Sequence, residues 1–187
     1  MGRGMHSWRM AGVALVWIVG ILAVGAFAAQ AETGGWELGV QAGWDVANGD
    51  ESFAKYDVYG TRELPWGWRW GQAVEVDTNL TAAASLLDAG GDSGLIGSLG
   101  LELVFDSASG EPPFQLRTGG AVSLLSETDI GAEDFGGPVQ FTLHIASTYR
   151  IWNNLRAVLQ LQHMSNAGIY SKNPGINTVM IGVLYNF

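Results

Sequence analysis

Leu155 to Phe187 reads LRAVLQLQHMSNAGIYSKNPGINTVMIGVLYNF, and its two arms decide the fold. In the first arm Ala157, Leu159, Leu161, His163 and Ser165 share one parity, while Gln160, Gln162 and Met164 take the other. Successive strand residues point to opposite faces of a sheet, so His163 and Ser165 project from the same face as Leu159 and Leu161. In the second arm Val179, Ile181, Val183, Tyr185 and Phe187 line one face, with Asn177 in phase. Antiparallel pairing of His163 with Asn177 also sets Leu161 opposite Val179 and Leu159 opposite Ile181. That one register satisfies every apolar position. A His, a Ser and an Asn thus gather at one end of an apolar stripe, which is where polar groups need a reason to be.

The chain opens MGRGMHSWRM, with Arg3 and Arg9 ahead of a mostly apolar run from Met10 to Ala29. Ala29-Gln30-Ala31 has the small-x-small form of a signal-peptidase site. Residues 1–31 therefore read as a cleaved signal peptide and residues 32–187 as the exported domain, beginning at Glu32. A retained membrane anchor would suit the length of the run but leaves the cleavage pattern without a role. The full chain has 9 Lys and Arg against 18 Asp and Glu. The leader takes away Arg3 and Arg9 and no acid, so 7 basic residues face 18 acidic ones, a net charge of −11. Such a surface argues against nucleic acid as a partner. There is no cysteine, so the exported chain holds together without disulfides. No segment after the leader approaches the length of an apolar spanning helix.

The mature chain reads as eight strands. Trp36, Leu38, Val40, Ala42 and Trp44 alternate with Glu37, Gly39, Gln41 and Gly43 in the first. Asp45 to Asp50 is a loop with an Asn-Gly turn signal, Ser52 to Thr61 a second strand, and Arg62 to Pro65 a short turn. Trp66, Trp68, Trp70, Val74, Val76 and Leu80 then share a face, against Arg69, Glu75, Asp77 and Asn79. Three tryptophans together resemble an interfacial aromatic girdle. Leu86 to Ser93 is a loop, and the next strand sets Leu95, Leu99, Leu101, Leu103 and Phe105 against Gly100 and Glu102. After a turn at Asp106 to Pro113 comes a strand from Phe114 to Ser123, with Arg117 opposite in parity to Phe114 and Leu116. Leu125 to Gly137 is a longer acidic loop, and Val139 to Ser147 is a strand that places His144 on its polar side. Arg150 to Asn153 turns the chain into the final hairpin.

Glu75, Glu102, Arg117 and His144 all lie on faces opposite the apolar stripes. In a soluble sandwich or a lipocalin-like barrel those faces would meet water. In an eight-stranded antiparallel up-and-down transmembrane β-barrel they turn inward and pair, while the apolar stripe meets lipid. The alternating end of the chain, closing on Phe187, is similar to the C-terminal strand signal of bacterial outer-membrane proteins. The expected fold is therefore an all-β barrel of the bacterial outer membrane. Phe187 is expected to be read by the barrel-assembly machinery.

With both termini in the periplasm the seventh strand runs outward, which brings His163, Ser165 and Asn177 to the outer rim, facing the outer leaflet. A His-x-Ser pair on one strand face suits acyl transfer, with Ser165 as nucleophile, His163 as base and Asn177 orienting the ring. A site that is water-accessible yet lipid-facing selects an amphiphile with an acyl ester at headgroup depth. The plainer reading is that Ser-Asn-Ala-Gly and Asn-Pro-Gly serve as turn formers and the histidine as an interfacial residue. Glu127, Asp129, Glu133 and Asp134 in the acidic loop have no metal-ligand spacing, so neither a metal nor a cofactor is expected.

The run His163-Met164-Ser165-Asn166-Ala167-Gly168-Ile169, followed by Asn173-Pro174-Gly175-Ile176-Asn177, resembles the signature of the PagL-type lipid A 3-O-deacylase family. Members are eight-stranded outer-membrane barrels that hydrolyse the ester-linked acyl chain at the 3-position of lipid A. The resemblance implies lipopolysaccharide as substrate, His163 as base, Ser165 as nucleophile, and the Asn166 side chain and Gly168 backbone N–H as oxyanion donors. It rests on about the last quarter of the mature chain. The family pattern carries Glu as the third catalytic member, where this chain has Asn177. Asn fixes the imidazole tautomer but brings no negative charge to the imidazolium. A non-catalytic structural or adhesive barrel, and an esterase acting on other outer-leaflet lipids, stay open on the sequence. So do oligomeric state, a homodimer included, and the acyl-chain preference.

Overall fold

A computed structural model describes residues 35–46, 52–109 and 113–187. The expected signal peptide and the Asn48-Gly49 turn lie outside the described residues. The strands are β1 (Trp36–Asp45), β2 (Ala54–Trp70), β3 (Val74–Asp88), β4 (Ser93–Ser107), β5 (Phe114–Leu125), β6 (Asp129–Ile130), β7 (Glu133–Asp134), β8 (Val139–Trp152), β9 (Leu155–Ser165) and β10 (Ile176–Asn186). Eight of them close a barrel in which each pairs antiparallel with its neighbour in sequence, and β1 pairs with β10. The two-residue strands β6 and β7 form a separate hairpin inside the β5–β8 connection. Closure leaves no strand edge for hydrocarbon to desolvate, the condition a sheet must meet to span a bilayer. The barrel strands run from 10 to 17 residues, enough for a tilted crossing.

The alternation in the sequence becomes an inside and an outside. Leu143 on the outer wall is 60% exposed, whereas Arg117 in the lumen is 3% exposed. A soluble protein would invert that pair. Inside, Arg117 reaches Glu37 (2.5 Å) and Glu102 (3.2 Å), Thr61 donates to Glu37 (3.0 Å), and His144 Nε2 lies 3.1 Å from Glu102 Oε2. His144 is thus a luminal residue, as its parity predicts.

Several boundaries differ from the sequence reading: of the loop expected from Leu86 to Ser93, Leu86–Asp88 belong to β3 and Ser93 opens β4, because the two strands pair to their ends. Arg62 to Pro65 is not a turn: β2 runs on to Trp70, and an irregularity between Leu64 and Trp68 absorbs Pro65. Proline lacks a donor for the ladder and is tolerated at such a bulge. The chain reverses instead at residues 71–73, so Trp66, Trp68 and Trp70 end β2 rather than start β3. They share a face with Val74 and Val76 because Trp70 pairs with Val74 and Trp68 with Val76. Likewise β8 continues to Trp152, and the turn into the last hairpin is only Asn153-Asn154.

The acidic loop between β5 and β8 carries an unexpected apolar payload. Ile130 and Phe135 are fully buried with Phe53, Leu87, Leu125 and Met164, and the Phe53 and Phe135 rings meet edge to face at 6.0 Å. This cluster fills the lumen at the barrel end opposite the termini. Each large apolar side chain buried there contributes about 1.5–3 kcal/mol, which holds the loop down onto the mouth.

Candidate active site

The register of the last hairpin places the candidate residues. β9 pairs with β10 so that His163 faces Asn177, Leu161 faces Val179 and Leu159 faces Ile181. Leu159, Leu161 and Ile181 are each more than half exposed on the outer wall, so His163, Ser165 and Asn177 stand on the outward side, at its loop end. Gln160, of opposite parity, is buried in the barrel.

His163 is the hub. Its Nδ1 lies 2.8 Å from Asn177 Oδ1 and its Nε2 3.0 Å from Ser165 Oγ. With the Asn177 carbonyl oxygen as acceptor, Nδ1 carries the proton, leaving the Nε2 lone pair to receive the Ser165 hydroxyl. That is the protonation state a base needs in order to activate a hydroxyl. Gly175 lies beside the ring with a φ of 67°, a backbone conformation that favours glycine; a Cβ there would only touch His163 Cε1, at 3.4 Å. The Asn177 backbone is clamped by β1, since Asn177 N–H donates to Asp45 Oδ1 (3.3 Å) and Val46 N–H donates to the Asn177 carbonyl (2.8 Å).

The chain leaves Ser165 through a tight turn. Ile169 N–H donates to the Asn166 carbonyl (3.1 Å), with φ of 53° at Ala167 and 80° at Gly168, the left-handed pair of a type I′ turn. Glycine adopts this freely; Ala167 does so under strain. Asn166 is fully buried, and its side chain pins the turn. Asn166 Nδ2 donates to the carbonyls of Phe135 (2.9 Å) and Lys172 (2.5 Å), while its Oδ1 accepts from Gly168 N–H (2.9 Å). The two groups expected as oxyanion donors are therefore bonded to each other, and the Asn166 amide is committed to loop carbonyls. Asn173 Oδ1 accepts from Asn166 N–H (2.9 Å), and Lys172 pairs with Asp134 of β7 (2.8 Å). The plugging loop and the turn after Ser165 thus form one hydrogen-bonded unit.

Beside the imidazole an open groove of about 490 Å³ runs along Thr118, Leu143, Ile145 and Leu161. Its surface is mostly apolar, and His163 and Asn177 are among the residues that line it.

A family model described as "Lipid A 3-O-deacylase (PagL)" matches residues 54–186, from β2 to the end of β10. The chain belongs to this family. This PagL-family barrel is 27% identical over 122 residues to the lipid A deacylase PagL of Bordetella bronchiseptica (strain ATCC BAA-588 / NCTC 13252 / RB50), covering 65% of this chain and 67% of the relative. Its fold is similar to the crystal structure of the outer membrane enzyme PagL, at a TM-score of 0.70 and 17% identity, covering 81% of this chain and 99% of that one. It is also similar to Neisserial surface protein A, at a TM-score of 0.52 and 12% identity, with 83% and 98% covered. Family and fold together make the chain an outer-membrane β-barrel of the lipid A 3-O-deacylases.

Sequence reasoning brought His163, Ser165 and Asn177 together through one register. It did not find what surrounds them. Asp45 and Phe135 arrive from strands and loops far along the chain, and no local periodicity signals either. Asn166 is visible as a turn residue, but its three bonds depend on where Phe135 and Lys172 come to rest.

Proposed function

We propose that the protein removes the ester-linked 3-O-acyl chain of lipid A by a serine mechanism run by Ser165, His163 and Asn177. The observation that carries this reading is the imidazole of His163 bridging Ser165 Oγ and Asn177 Oδ1 on the lipid-facing wall. Ser165 Oγ attacks the ester carbonyl as its proton passes to His163 Nε2. Collapse of the tetrahedral intermediate breaks the bond to the sugar oxygen, which leaves with that proton. A water, deprotonated by His163, then cleaves the acyl-enzyme, releasing the fatty acid and restoring the serine. Asn177 keeps Nδ1 as the donor throughout. Gly168 N–H becomes an oxyanion donor by exchanging its bond to Asn166 Oδ1 for the substrate oxygen, while Asn166 holds the turn in place.

The apolar groove beside His163 suits the acyl chain, and lipid A is the ester-bearing amphiphile whose headgroup lies at rim depth. In this reading the termini face the periplasm and the loop end the outside. A leader over residues 1–31 delivers the chain, and the barrel-assembly machinery reads its C-terminal strand. Mass spectrometry of lipid A from cells with and without the protein tests the activity directly. Loss of one 3-O-acyl mass with the wild type, and none with Ser165→Ala, is expected. Equal lipid A in all three strains would overturn it.

A further inference from the structure

Barrel closure brings a carboxylate to the trio. Asp45 ends β1, and β1 pairs with β10 only because the sheet closes, so that Asp45 lies opposite Thr178. Its Oδ1 accepts the Asn177 N–H at 3.3 Å across 132 residues of chain, and the neighbouring Val46 N–H donates back to the Asn177 carbonyl. Among the described residues, Asp45 is the carboxylate hydrogen-bonded to the trio of Ser165, His163 and Asn177. The trio itself is neutral before reaction. Proton transfer from Ser165 creates an imidazolium at His163, and Asn177 offers it a dipole but no charge.

We propose that Asp45 is a positioning residue for the hydrolytic reaction: it clamps the Asn177 backbone and supplies, from the neighbouring strand, the negative charge that Asn177 lacks. At a rim bordered by lipid the local dielectric is lower than in water, so a charge one residue removed still acts on the imidazolium. β8 presents Leu143 opposite His163 and β10 presents Asn177, while Lys172 of the 166–175 loop pairs with Asp134. His144 faces the lumen, on Glu102.

This inference rests on the serine mechanism above, and its test separates the two. The purified barrel in detergent micelles is labelled at Ser165 with a fluorophosphonate over a range of pH, and fatty-acid release from lipid A is followed in parallel. Asp45→Asn keeps an acceptor oxygen for Asn177 N–H and removes only the charge. It should slow labelling by about three- to tenfold, the effect of up to one pKa unit of lost stabilisation, and move the acid limb of the pH profile to lower pH. Asp45→Glu, which keeps the charge, should retain most of the rate. In an Asn177→Glu background the charge is already present, so adding Asp45→Asn should change the rate by less than about twofold, a non-additive cycle. A wild-type rate and pH profile in Asp45→Asn overturns the inference. So does a defect confined to Asp45→Ala with Asp45→Asn unaffected, since that assigns the clamp alone. Wild-type protein that labels at Ser165 but leaves lipid A intact overturns the substrate and not the role of Asp45. Absence of labelling at Ser165 overturns the mechanism and this inference with it.

Discussion

His163 Nε2 lies 3.0 Å from Ser165 Oγ across a single intervening residue of β9. The pair shares a strand face, so the imidazole needs only to lean along the strand to reach the hydroxyl. Ser165→Ala removes the nucleophile and His163→Ala the base, and each should lower deacylation by at least about 10³-fold, the scale at which members of such a unit fail singly. Both side chains stand outside the luminal network, so heat-modifiable migration on a gel should stay as in the wild type. Mass spectrometry of lipid A reads the first effect, and the gel reads the second.

Asn177 is the departure from the family pattern, and its substitutions sort orientation from charge. Asn177→Ala loses the 2.8 Å acceptor for Nδ1 and should cost about 10- to 100-fold in kcat, less than either Ser165→Ala or His163→Ala. Asn177→Glu keeps an acceptor and adds a charge, and should match or exceed the wild-type rate. A rate below that of Asn177→Ala would show that a second carboxylate beside Asp45 is not tolerated.

Asn166→Ala removes the side chain that satisfies two carbonyls and one N–H. Leaving such buried groups unpaired costs about 1–3 kcal/mol each. The 166–175 loop should exchange its amide hydrogens faster, and kcat should fall while the barrel persists. Unchanged exchange in that loop would refute the pinning role.

Arg117 pairs with both Glu37 and Glu102 in the lumen. Arg117→Met strands two buried carboxylates, and breaking a buried pair in this way costs about 3–5 kcal/mol. Urea unfolding of the barrel in lipid vesicles should show the loss. The lipid A reaction should survive wherever the barrel stays folded, because the network lies on the other face of the wall.

Asp134 and Lys172 tie the plugging loop to the turn after Ser165. The hydrogen bond from Lys172, and then that from Gly136 N–H, hold the Asp134 carboxyl below its ordinary value. A depressed carboxyl contributes its tie above the ordinary carboxylate range of about 4 and loses it as pH falls through the lowered value. Amide protection in residues 166–175, taken relative to the intrinsic exchange rate at each pH and compared with the middle of β10, should therefore fall in acid. Asp134→Asn should show the lower protection already at neutral pH. The pair is exposed and screened by salt, so the effect should shrink at high ionic strength.

The eight barrel strands, the inward or outward sense of the cleanly alternating residues and the pairing of His163 with Asn177 were legible in the sequence. Period-two alternation is local, and a one-residue slip would move every apolar side chain of β9 to the wrong face, so one register stands out. The apolar outside was legible too, because the alternating last strand ending in Phe187 is similar to the outer-membrane signal, and Glu102, Arg117 and His144, of opposite parity, then have to turn inward. The tertiary structure alone decided the rest. Pro65 looks like a turn until the length of β3 beside it draws β2 past it through a bulge. Ile130 and Phe135 look like incidental apolar residues in an acidic loop until the barrel mouth offers them a place to be buried. Asp45 meets Asn177 only when the first strand closes on the last, since a contact spanning 132 residues leaves no trace in any local pattern.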